Sequence, residues 1–90
     1  MNLKGVQNMK GSNGREIPNQ FEIFADDGKY FQSYSSLIVF KPFSGKIVLD
    51  VNKWDYSKTT GKYRNIFLGE DKKTTERKIK DGTYTIDETL

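Results

Sequence analysis

The chain has 90 residues, a net charge of +3, 34% hydrophobic residues and 30% charged residues. A chain of this length makes one domain with a small core and a narrow stability margin. It contains no cysteine and no histidine, which excludes disulfides, thiol catalysis and cysteine-ligated zinc or iron–sulfur centres, and removes the commonest general base and metal ligand.

An enzyme built from this inventory would have carboxylates, Lys, Tyr, Ser and Thr alone to work with, so the expectation is a non-enzymatic protein with no cofactor and no metal. Aromatic residues make up 13% of the chain, which argues against global disorder. No secretory signal follows Lys4, and the longest apolar run, Leu37-Ile38-Val39-Phe40, is far too short to span a bilayer. The expected location is cytoplasmic, without a membrane partner.

Taken in order, residues 1–17 hold three glycines and three asparagines without periodicity, and read as a flexible N-terminal arm. Its cations Lys4, Lys10 and Arg15 can touch a polyanion, but an arm of this kind is more often just a loose terminus. A single β-rich domain is expected over 18–86. It opens with Gln20–Ala25, where Phe21, Ile23 and Ala25 alternate with Gln20, Glu22 and Phe24. Asp26-Asp27-Gly28 is a hairpin signal, because glycine adopts positive φ freely. It lacks the later oxygen ligands of a calcium loop.

Lys29–Tyr34 reads as a second strand. Leu37–Lys41 reads as a third, placed centrally for its apolar content. Pro42-Phe43-Ser44-Gly45 is a turn and Lys46–Val51 a fourth strand. The stretch from Trp54 to Asn65 reads as a loop, and Lys62–Leu68 as a fifth strand with Tyr63, Asn65 and Phe67 on one face and Lys62, Arg64, Ile66 and Leu68 on the other. Glu70–Lys80 carries acids first and cations last and stops before Gly82, as a helix does. Thr83–Ile86 fits a short edge strand, and 87–90 an acidic tail. The predicted fold is α+β and mainly β: a twisted antiparallel sheet or partly closed small barrel of about five strands, with one short C-terminal helix.

Charge is distributed unevenly along this plan. Residues 41–80 hold eleven cations against five carboxylates, a balance of +6, and the remainder of the chain sums to −3. Such a basic half attracts phosphate backbones or an acidic protein surface. Within it lies the densest set of rings and cations. Trp54, Tyr56 and Tyr63 interleave with Lys53, Lys58, Lys62 and Arg64, with Ser57, Thr59, Thr60 and Asn65 as further donors. Stacked rings and backbone-following cations hold single-stranded nucleic acid. The candidate binding residues are therefore Trp54, Tyr56, Lys58, Lys62, Tyr63 and Arg64, with Lys62 and Arg64 on one face of the expected strand. Trp54 and Tyr63 also suit core positions, and the same residue types are hot spots of protein interfaces. Thr59-Thr60-Gly61-Lys62 lacks the glycines, spacing and following helix of a phosphate loop, and nothing marks Asp55, Tyr56 and Lys62 as a catalytic group.

The run Trp54-Asp55-Tyr56-Ser57, Thr59-Thr60, Lys62-Tyr63-Arg64-Asn65 and Phe67-Leu68-Gly69, together with Phe31–Ser36, resembles small bacteriophage and mobile-element proteins and covers about half the chain. That likeness implies a phage-type protein of the host-cell cytoplasm and carries no particular activity. Gly45–Asp50, a basic hairpin and one helix are more faintly similar to the single-stranded-DNA-binding transcriptional coactivator fold. The strands placed before that element, and the lack of a long dimer-forming helix, depart from it.

The sequence thus leads to a small phage-like protein binding single-stranded DNA or RNA. The alternative is a non-enzymatic adaptor or inhibitor that docks on a host or phage enzyme. An open sheet edge would also invite homo-oligomers.

Overall fold

A computed structural model describes residues 2–88 and 90. Six strands form one open sheet: β1 (Leu3–Lys10), β2 (Glu16–Ala25), β3 (Gly28–Ser33), β4 (Ser36–Pro42), β5 (Val48–Asp50) and β6 (Thr85–Asp87). They lie side by side in chain order, β1 through β5 as an antiparallel meander, with β6 added parallel to β5. A parallel neighbour requires a crossover, and here it consists of two helices, α1 (Lys58–Leu68) and α2 (Lys72–Lys80). The fold is mainly β with added α, as expected. The sheet is mixed rather than antiparallel, not closed into a barrel, and accompanied by two helices rather than one.

The β2–β3 hairpin forms where Asp26-Asp27-Gly28 foretold it, with Ala25 paired to Gly28. Gly28 has φ 156°, and a Cβ there would sit 2.4 Å from the Lys41 carbonyl oxygen and 2.7 Å from Pro42 Cα. No side chain fits at that close approach of β4. β4 is interior, as placed from its apolar content. Its register against β3 shifts at Leu37/Val39, and this bulge leaves neighbouring Ile38 and Val39 both fully buried.

Three expectations need correcting. Leu3–Lys10, taken as part of a flexible arm, pairs with β2 as strand β1; Met1 lies outside the described residues. Lys62–Leu68 is not a fifth strand: it is most of helix α1, and the loop expected from Trp54 to Asn65 gives way to that helix at Lys58. Of the acidic tail over 87–90, Asp87 belongs to β6, and Thr89 lies outside the described residues.

Both helices are well started. Ser57 caps α1 by accepting from the Thr60 N–H at 3.1 Å, and Asp71 caps α2 by accepting from the Thr74 N–H at 2.9 Å. Gly69 closes α1 in the left-handed conformation, φ 71°, its N–H bonded to the Asn65 carbonyl. The helices cover one sheet face, where Met9, Phe31, Val39 and Leu49 meet Tyr63, Phe67 and Tyr84. Phe31 and Phe67 stack with ring centroids 5.8 Å apart. Tyr30, one residue from Phe31, points the other way and stacks on Phe40 at 4.4 Å, in a second cluster with Ile23, Ala25, Leu37 and Leu90. Among the described residues no helix is long and apolar enough to cross a membrane, and no group of potential metal-ligating side chains converges.

Candidate functional site

Six residues were picked out by sequence: Trp54, Tyr56, Lys58, Lys62, Tyr63 and Arg64. The fold divides them into an inner and an outer set, because helical geometry replaces strand geometry. In a helix, residues two apart do not share a face. Lys62 is accordingly exposed, and Arg64 is 1% exposed.

The inner set is a frame around the Arg64 guanidinium. Its Nη1 donates to the Trp54 carbonyl and lies 3.4 Å from Asp55 Oδ1, and its Nη2 donates to Asn65 Oδ1 at 2.9 Å. The Trp54 ring stands 5.2 Å from the guanidinium carbon. Gly61 lies alongside, where a Cβ would be 3.7 Å from both terminal nitrogens. Arg64 Nε is buried without a partner. Asp55 passes the connection on to α2 by pairing with Lys72 at 2.7 Å. Burial pushes the Asp55 carboxyl up, but Lys72 and Arg64 together outweigh it and hold the group below its ordinary value. Tyr63 is buried with Phe67 in the core. Arg64, Tyr63 and the half-buried Trp54 therefore hold the turn and α1 in place, and the strand faces expected for Tyr63 and Arg64 do not form.

The outer set is Tyr56, Lys58 and Lys62. Tyr56 is 45% exposed, and the Lys53 ammonium lies 5.2 Å from its ring centroid. The Lys62 ammonium rests over the Tyr63 ring at 5.3 Å. None of Lys53, Lys58 and Lys62 is ion-paired with a described carboxylate. Lys58, Lys62 and the exposed Ile66 follow one another at four-residue steps along the outside of α1.

A further polar cluster was not foreseen from sequence. Glu70 sits between the helices and accepts from Lys78 at 2.7 Å, Thr75 at 2.7 Å and Tyr84 at 2.8 Å. Burial raises its carboxyl, yet these hydrogen bonds prevail and leave it below the usual glutamate value. The cluster ties α2 to the segment entering β6. Its other members lie five to fourteen residues from Glu70, and no sequence pattern at that spacing marks them.

The sequence profile of a family described as a family of unknown function (DUF8033) matches residues 3–82. Compared with curated proteins and with solved structures, the chain has no match.

Proposed function

The chain belongs to the DUF8033 family of unknown function, and from the outer surface of α1 we propose that it binds nucleic acid there, single strands in preference to duplex. One observation carries the reading: exposed Lys53 and Lys58 stand by the exposed Tyr56 ring, exposed Lys62 follows one helical turn beyond Lys58, and none of the three is ion-paired with a described carboxylate. Tyr56 stacks a base, a contact worth about 1–3 kcal/mol. A paired base offers no open face to such a ring, which is the reason for the single-strand preference. The three lysines neutralise phosphates. Trp54, Tyr63 and Arg64 support that surface from beneath.

Three phosphate contacts on a single strand give a slope of log K against log salt of about −2. Fluorescence anisotropy with labelled single-stranded and duplex oligonucleotides over a salt series measures it. Lys58→Ala/Lys62→Ala should weaken binding and flatten the slope to roughly −0.7, with the fold unchanged because both side chains are exposed. Absence of binding at low salt, or a slope indifferent to the double substitution, rejects the reading. The exposed Ile66, one turn beyond Lys62, favours the second reading, an adaptor or inhibitor seated on an acidic protein surface. That reading gains if low-salt oligonucleotide binding is absent.

A further inference from the structure

The turn between β1 and β2 folds toward the outside of α1 and leaves a cleft of about 310 Å³ between them. Its rim carries Lys10, Ser12 and Asn13 from the turn side and Lys62 from the helix. Its apolar floor is Ile17 and Ile66, with the edge of the buried Tyr63. Gly11 lets the turn close down over Ile17: a Cβ at that position would lie 3.2 Å from Ile17 Cδ1.

We propose that this cleft holds one nucleotide, its phosphate between Lys10 and Lys62 and its base on the Ile17–Ile66 floor. This rests on the nucleic-acid reading of α1 and specifies the unit bound at the far end of that surface. Charge complementarity selects the phosphate. Lys10 and Lys62 both line the cleft, and no carboxylate among the described residues does. Glu16 lies across from Lys10 in the β1–β2 register but neither lines the cleft nor forms an ion pair with Lys10. Lys62 is ion-paired with no described carboxylate and rests over the Tyr63 ring, an interaction of about 0.5–1 kcal/mol at an exposed site, so it is free to turn to a phosphate.

Size selects a single unit. Ligand pockets run from about 300 to 1,000 Å³, and this one lies at the lower limit. Ile17 and Ile66 line it with aliphatic side chains, and Ser12 and Asn13 offer a hydroxyl and an amide able to meet the edge of a base. Position links it to the rest of the interface. From Lys58 to Ile66 is eight residues of helix, about 12 Å at 1.5 Å per residue, so a strand stacked on Tyr56 reaches the cleft within a few nucleotides.

The test is an amide NMR titration of the full chain with a nucleoside 5′-monophosphate, ribose 5-phosphate, a single-stranded oligonucleotide and poly-glutamate. The nucleotide and the oligonucleotide should shift the amides of Gly11, Ser12, Asn13 and Ile66. Ribose 5-phosphate should bind at least tenfold more weakly than the nucleotide. Lys10→Ala should abolish the shifts at the turn while those around Tyr56 and Lys58 persist with the oligonucleotide. Oligonucleotide shifts confined to Tyr56 and Lys58 would overturn the cleft and leave the α1 reading standing. No response to any nucleic acid would overturn both. Equal binding of ribose phosphate would remove the base from the floor, and shifts with poly-glutamate alone would assign the cleft to an acidic protein segment.

Discussion

The hydroxyls of Ser33 and Thr60 meet at 2.8 Å, both fully buried, and join β3 to the first turn of α1. Thr60 Oγ1 also accepts from Ser57 Oγ, whose oxygen in turn caps the Thr60 N–H. Helix start and sheet are thereby one hydrogen-bonded unit. Thr60→Val leaves the Ser33 hydroxyl buried and unpaired, which should cost about 1–3 kcal/mol. Ser33→Ala should cost less than that, since Thr60 retains Ser57. The double variant should fall short of the sum by about 1 kcal/mol in urea unfolding. Additive losses would show that the two hydroxyls are not coupled.

Arg64 makes a similar prediction by a different route. A lysine there keeps the charge but cannot reach the Trp54 carbonyl, Asp55 and Asn65 together, nor lie flat beside the Trp54 ring. Arg64→Lys should cost about 2 kcal/mol, which lowers the Tm by roughly 8–16 °C in a domain of this size. Trp54 is the only tryptophan, so its fluorescence reports the loosened frame directly as a shift to longer wavelength. Lys58→Ala, on the exposed side of the same helix, should stay within about 0.5 kcal/mol. If both variants melt like the wild type, the Arg64 frame is not what anchors the turn.

Acid should act on Glu70. Its carboxyl is depressed in the folded protein, so its contribution is complete above the ordinary glutamate value. That contribution is lost as the pH falls through the lower folded-state value. Glu70→Gln keeps the shape but gives up the charge-assisted bonds from Lys78 and Tyr84. It should cost about 2 kcal/mol at neutral pH and much less in acid. The acid limb of a stability–pH curve should therefore be shallower in Glu70→Gln than in wild type. Parallel limbs would remove Glu70 as a source of the acid sensitivity.

The meander was legible because its signals are local. Asp26-Asp27-Gly28 marked the β2–β3 turn, alternation marked β2, and the apolar run marked β4. Helix α1 was hidden. The positions it buries, Thr60, Gly61, Tyr63, Arg64 and Phe67, follow helical spacing, but two of the five are polar and one is glycine, so they do not register as a hydrophobic stripe. Tyr63, Ile66 and Phe67 meanwhile carry strand propensity, and tertiary packing overrides it. Strand β1 was hidden by its irregular register, which shifts between Leu3 and Gly5 and again between Asn8 and Lys10, so no clean alternation survives. The candidate site inherited the error in α1. Lysines beside exposed aromatic rings were readable as types, but which of them face outward depends on a helix instead of a strand.

The parallel partnership of β5 and β6 sets an order of assembly. Strands β1 to β5 each pair with a chain neighbour, so their loops close over short distances. Val48 and Thr85 are brought together across the whole two-helix crossover, a far larger loop to close. The meander is therefore expected to come together first, with the helices added over it and held by the Phe31–Phe67 stack, the Ser33–Thr60 hydrogen bond and the three residues of β6. Local opening is expected to begin at that short, exposed β6 edge, while β1 to β5 stay paired.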